Sequence, residues 1–193
     1  MGLLFTNKDI TELEVESIVN AANEYLAPGG GVCGAIFAAA GRKELAQECR
    51  SIGHCSTGSS VITGGYKLKA KYIIHTVGPR YLGGKEGEEA LLRSCYVSAL
   101  ALCKEKNLSS IAFPLISAGI FGYPKDEALW IAIEEIERFL STSRETDVYL
   151  SLWGRRTNWA ALYKNCRFFA SRFTPSFYDP AQILHLLEIF QQK

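Results

Sequence analysis

The chain has 193 residues, the length of one ordinary domain and short for two. Its 21 lysines and arginines against 20 aspartates and glutamates leave a formal charge of +1, which excludes the standing cationic field needed to coat nucleic acid or dock on anionic lipid. With 48% apolar and 21% charged residues, it has the makings of a packed core and not of a disordered chain.

Leu3, Leu4 and Phe5 open a short strand, and Ser17 to Ala21 reads as a second, buried on both faces. After a glycine-rich stretch, the spacing of Ile36, Ala39, Ala40 and Leu45 predicts one helix over 35–50. Strands follow at 61–63 and 72–77, bracketed by Gly64-Gly65 and Gly78-Pro79. A helix over 88–106 carries Leu92, Tyr96, Ala99, Leu100 and Cys103 on one side. Next come a strand at 110–115, a turn-rich segment, a helix over 124–140 and a strand at 147–152. Asp126 and Glu127 suit the positive end of that helix's dipole. Helices over 158–173 and 180–191 finish the chain, the second entered through Asp179 as cap and Pro180 in its first turn. Strands alternating with helices predict an α/β domain, a largely parallel sheet between helical layers, spanning 1–193 without repeat or linker.

No apolar run approaches the ~20 residues that span a bilayer, and the N-terminus turns acidic before a signal-peptide core develops. A soluble, cytoplasmic protein is expected, with no membrane partner. The six cysteines need not form disulfides in a chain with this much core. Cys95 and Cys103 sit in a helical pattern as small hydrophobes. Cys49, His54 and Cys55 form the only local Cys/His cluster and lack a second ligand pair, so no metal site is expected.

Gly29, Gly31 and Gly34 match G-x-G-x-x-G, but Asn23 to Pro28 separates them from the strand. No acid stands about 20 residues on to hold a ribose. What remains is a choice between a flexible turn and backbone amides that approach an anion ahead of a helix. A second loop, Leu115 to Pro124, also leaves a strand and enters a helix, with two glycines and Ser117. In a parallel sheet both loops lie at carboxyl ends of strands and make a cleft suited to a pyrophosphate. Asn20 and Asn23 stand just before the first loop, where neutral amides can grip sugar hydroxyls.

These segments together resemble the macrodomains, a family of ADP-ribose-binding modules. The resemblance runs from Phe5 to Trp153 and rests on DIT (9–11), IVNAAN (18–23), GGGVCGAI (29–36), TGG and YIIHTVGP (63–65, 72–79), and FPLISAGIFGYP (113–124). It implies a three-layer α/β/α fold around a central mixed, largely parallel sheet. It implies that Asp9 accepts a hydrogen bond from the adenine amino group, with Ile10 beside it. Asn23 would orient the distal ribose, and Gly30, Gly31 and Val32 would lie along that ribose and the phosphates. Ser117, Ala118, Gly119, Ile120, Phe121 and Gly122 would cradle the phosphates, with Phe121 near the distal ribose. Trp153 would stack on the adenine. Asn23, Gly31, Cys33 and Phe121 thus surround the reacting bond.

Cys33 is a departure: many hydrolytic members of the family carry an aspartate there. A thiol with an ordinary pKa of about 8.5 is a poor general base, and no histidine is placed by sequence to make it a nucleophile. The resemblance implies a hydrolase that removes mono-ADP-ribose from acidic side chains of proteins, and acts on O-acetyl-ADP-ribose, without metal or cofactor. The alternatives are a non-catalytic reader of ADP-ribose and ADP-ribosylated proteins, and an ADP-ribose 1″-phosphate phosphatase. Other features have structural readings: His75 as a satisfied core imidazole, His54 at a helix end, and His185 on a helix surface. Glu134, Glu135, Glu137 and Arg138 read as a solvated helix face, Arg155-Arg156 as surface, and the aromatic cluster at 168–178 as packing of the last helices.

Overall fold

The computed structural model describes residues 2–143 and 145–152. The expected helices at 158–173 and 180–191, Arg155-Arg156 and the aromatic cluster lie outside the described residues. Six strands form one sheet: β1 (Leu3–Thr6), β2 (Ser17–Ala22), β3 (Ser60–Gly64), β4 (Tyr72–Val77), β5 (Ser110–Pro114) and β6 (Asp147–Ser151), in the order β1-β6-β5-β2-β4-β3. All neighbours run parallel except β3, which pairs antiparallel with β4 at the edge. The mixed, largely parallel sheet expected from the alternating pattern is thus present. Parallel strands covered on both faces read as apolar runs, and Ile18, Val19, Ile73, Ile74, Ile111, Ala112 and Phe113 are all sealed from solvent.

Helices cover both faces. On one, α3 (Glu88–Glu105) and α4 (Lys125–Thr142) pack with Val19, Ile74, Ile111, Phe113 and Val148. On the other, α1 (Gly31–Ala40) and α2 (Arg42–Ile52) bury Ile36, Phe37, Leu45 and Cys49 against Ile18, Ile73 and Ala112. Each fully buried large side chain contributes about 1.5–3 kcal/mol by leaving water. None of the described helices is long and apolar enough to cross a membrane. The five described cysteines are free and buried, Cys95 and Cys103 inside α3 as expected of small hydrophobes.

Two expectations need correction. The single helix over 35–50 is two helices, and the first starts earlier, at Gly31. Gly41 divides them with φ +100°, ψ +95°, a conformation open to a residue without Cβ. The acidic run on α4 is not wholly solvated: Glu135 is buried, its carboxylate held by Arg93 at 2.8 Å and Arg138 at 2.9 Å. Burial is tolerable there because the charge is paired.

Candidate active site

The parallel strands β1, β6, β5, β2 and β4 deliver their carboxyl ends to one edge of the sheet, where an open cavity of about 810 Å³ lies. Every one of these strands supplies lining. Asp9 and Ile10 follow β1, Ala22 and Asn23 end β2, and Gly78 and Arg80 follow β4. Leu115 and Ser117 follow β5, and Ser151 and Leu152 close β6. Ligands in open α/β sheets sit at this edge because the loops there are free to diverge in shape.

The first glycine loop is set by Asn23. Its Nδ2 donates to the Ala27 carbonyl at 2.7 Å while its Oδ1 accepts from the Ala27 N–H at 3.1 Å. That reciprocal pair leaves one N–H and one lone pair of the amide for a ligand. Gly30 then caps α1 without a side chain, and Gly31 adopts φ +59°. Among the described residues the amides of Gly31, Val32 and Cys33 have no partner, at the positive end of a helix beside the cavity these residues line. Gly34 must stay small, since a Cβ there would stand 2.7 Å from the Gly29 carbonyl oxygen.

The second loop is pinned at several points. Ile116 N–H donates to Tyr96 Oη at 3.4 Å, Tyr123 N–H to the Ser117 carbonyl at 3.0 Å, and Tyr81 N–H to the Phe121 carbonyl at 2.9 Å. Among the described residues, the amides of Gly119, Ile120 and Phe121 have no partner. Ser117 takes φ +62°, and its buried Oγ also lacks one. The loops meet over the cavity, where a Cβ on Gly30 would lie 3.1 Å from Ile120 Cδ1. At the far end, Asp9 Oδ1 accepts from Thr11 N–H at 2.9 Å and from its hydroxyl at 2.8 Å, capping a short turn at Ile10–Glu12. Its second oxygen has no partner among the described residues.

Val32, Cys33, Ala118 and Phe121 also line the cavity. Asn20 and Gly122 do not. Asn20 is fully buried, its Nδ2 directed to His75 Nδ1 at 3.0 Å, and its Oδ1 lacks a partner among the described residues. Alternation along β2 turns Asn20 toward the α1 layer, where its Nδ2 lies 3.7 Å from Cys33 Sγ. The Gly122 N–H is spent on the Gly119 carbonyl at 3.0 Å. Trp153 lies outside the described residues.

Burial pushes the Cys33 thiol pKa up, against weaker opposing contacts that include Asn20 Nδ2 at 3.7 Å. The thiol is therefore protonated at neutral pH, unfit as base or nucleophile. His75, expected in the core, is fully buried, with Nε2 2.9 Å from Thr63 Oγ1. Burial lowers its pKa to about 4. A folded-state pKa below the ordinary 6.5 means that protons favour the unfolded chain. Stability should be full above pH 6.5 and fall toward pH 4, by on the order of 3 kcal/mol. Urea unfolding across that window reads the slope, which His75→Asn should flatten.

Sequence reasoning assigned no role to Gly78 or Arg80. Both follow β4, which lies beside β2 in the sheet order, and that adjacency was the available signal. The Arg80 guanidinium sits over the Phe121 ring, 4.7 Å from its centroid. Among the described residues no cluster of His, Cys, Asp or Glu is placed to hold a metal.

The family model of the Macro domain matches residues 19–132, more than half of the chain. The chain belongs to the Macro domain family. An uncharacterised protein of Fusobacterium nucleatum is 55% identical over 146 residues, covering 75% of this Macro domain chain and 82% of the relative. The ADP-ribose glycohydrolase MACROD1 of Mus musculus is 50% identical over 138 residues, 71% of this chain but 42% of the mouse protein. Among solved structures, the Oceanobacillus iheyensis macrodomain with ADP superposes with a TM-score of 0.79 at 39% identity, covering 88% of this chain and 92% of that one. The Trypanosoma brucei macrodomain in complex with ADP-ribose gives 0.73 at 34% identity, covering 87% and 68%. The cavity edge described above thus belongs to a fold whose solved relatives carry ADP or ADP-ribose.

Proposed function

We propose that this Macro domain binds ADP-ribose along the cavity and hydrolyses the bond joining its distal ribose to an acidic side chain of a protein. The observation that carries the reading is the pair of facing loops whose amides, at Gly31 to Cys33 and at Gly119 to Phe121, have no partner among the described residues. Such donors hold a pyrophosphate without a metal and are oriented before it arrives. Asp9 would accept from the adenine amino group with its free oxygen, beside Ile10. Gly30, Gly31 and Val32 would follow the phosphates and ribose, opposite Ser117, Ala118, Ile120 and Phe121. The similarity to MACROD1 supports turnover and not binding alone.

Asn23 would fix the distal ribose so that a water, held by a phosphate oxygen and loop amides, faces the anomeric carbon. The water oxygen bonds to that carbon as the carbon–oxygen bond to the side chain breaks. The bonding pair leaves with the carboxylate, and the water's proton passes through the phosphate oxygen to solvent. An acetyl group carried on the anomeric oxygen of O-acetyl-ADP-ribose would leave as acetate by the same cleavage. Cys33 takes no part beyond packing.

Turnover in ¹⁸O-water tests the reading on a glutamate-modified protein. Released ADP-ribose should carry the label and the freed glutamate carboxyl should not. Label in the carboxyl would move the attack to the acyl carbon. Binding without release would favour the reader, the reading that the missing aspartate at position 33 supports.

A further inference from the structure

We infer that Arg80 is the contact for the protein half of the substrate, pairing with a carboxylate that neighbours the modified residue. This rests on the reading of the cavity as an ADP-ribose site. Arg80 stands on β4's exit, four strands away from the β1 exit that carries Asp9. At ~4.8 Å per strand that is a separation of roughly 19 Å. With the adenine at Asp9, the reacting carbon lies by Asn23 and Phe121, and Arg80 stands where the protein chain enters.

The side chain is exposed and has no ion pair or hydrogen bond among the described residues, yet it is not loosely hung. The Phe121 ring supports its guanidinium from below, a contact that leaves the planar fork's N–H groups open. The loop after it is anchored by Glu88, a buried carboxylate accepting from the amides of Leu82 at 2.9 Å, Gly84 at 3.1 Å and Glu86 at 2.6 Å. Tyr81 joins this loop to the phosphate loop through its N–H on Phe121, and its ring packs on Tyr123, centroids 5.0 Å apart. A pre-positioned, unpaired guanidinium at the mouth suits a carboxylate bidentately. The partner it fits is an acidic segment, one in which the ester-bearing glutamate has acidic neighbours.

Calorimetry on peptides bearing ADP-ribose through a hydrolysis-resistant linkage tests this, with glutamate or glutamine flanking the modified position. Wild type should prefer the glutamate-flanked peptide about fivefold, in line with an exposed but well-oriented ion pair. Arg80→Ala should abolish that preference, with its free ADP-ribose affinity measured in parallel. Arg80→Glu should reverse it. Equal binding of the two peptides by wild type overturns this inference alone. A loss of free ADP-ribose affinity in Arg80→Ala as large as the peptide loss also overturns it, because Arg80 would then hold a phosphate. Failure of wild type to bind free ADP-ribose would remove the site reading and this inference together.

Discussion

Asn23→Ala is expected to lower kcat/KM for ADP-ribose release by about 100-fold or more, the scale of losing a preorganised group at the reacting centre. Two effects combine. On the proposed reading the variant loses the group that would face the ribose, and it loses both hydrogen bonds to Ala27 that shape the turn before the glycines. Asn23→Asp disturbs both as well. It keeps an acceptor for the Ala27 N–H but sets a second oxygen against the Ala27 carbonyl, so the turn relaxes and the ribose meets a charge. Steady-state kinetics with ADP-ribose binding measured in parallel should show a far larger loss in turnover than in affinity. Activity within threefold of wild type in Asn23→Ala would remove Asn23 from the mechanism.

Gly78→Ala should be a strongly damaging small substitution beside the cavity. A Cβ there would overlap Ser117 Oγ and stand 2.7 Å from Ile116 Cγ2. Ile116 is fully buried and β-branched, so it cannot swing aside cheaply. Ser117 already occupies a left-handed conformation, and its carbonyl holds the Tyr123 amide. The strain must therefore displace the loop over 115–124. Chemical denaturation should show a loss of about 2–3 kcal/mol, typical of an overpacked core position, and ADP-ribose affinity should fall at least about tenfold. Gly119→Ala is the control: a Cβ there meets nothing within 4 Å, and stability should change by less than ~0.5 kcal/mol. Equal stability of the two variants would show that Gly78 is not needed for close approach.

The strands were legible because strands covered on both faces read as largely apolar runs bracketed by turn residues, and each expected one lies within a residue or two of its place. Helix boundaries were less so. The stripe from Ile36 hid both the start of α1, which no capping side chain marks, and the break at Gly41, whose φ of +100° leaves no trace in apolar spacing. Glu135 read as solvated because its partner Arg93 comes from another helix, 42 residues away. At the site, the two glycine loops could be read from local chemistry, whereas Asn20 could not. Its amide looks like a sugar ligand until the sheet register sets it opposite His75. Arg80 escaped because its significance comes from Phe121, a residue that chain order places far away and the fold places beneath it.

The most direct test of the account is the rate of ADP-ribose release from a glutamate-modified protein by wild type and Cys33→Ala, with ADP-ribose binding followed by calorimetry. Hydrolysis assisted by substrate phosphate, with Cys33 a buried neutral thiol, predicts release by both at rates within about threefold, and equal affinity. Binding by wild type without release, or release lost in Cys33→Ala while binding survives, would contradict it.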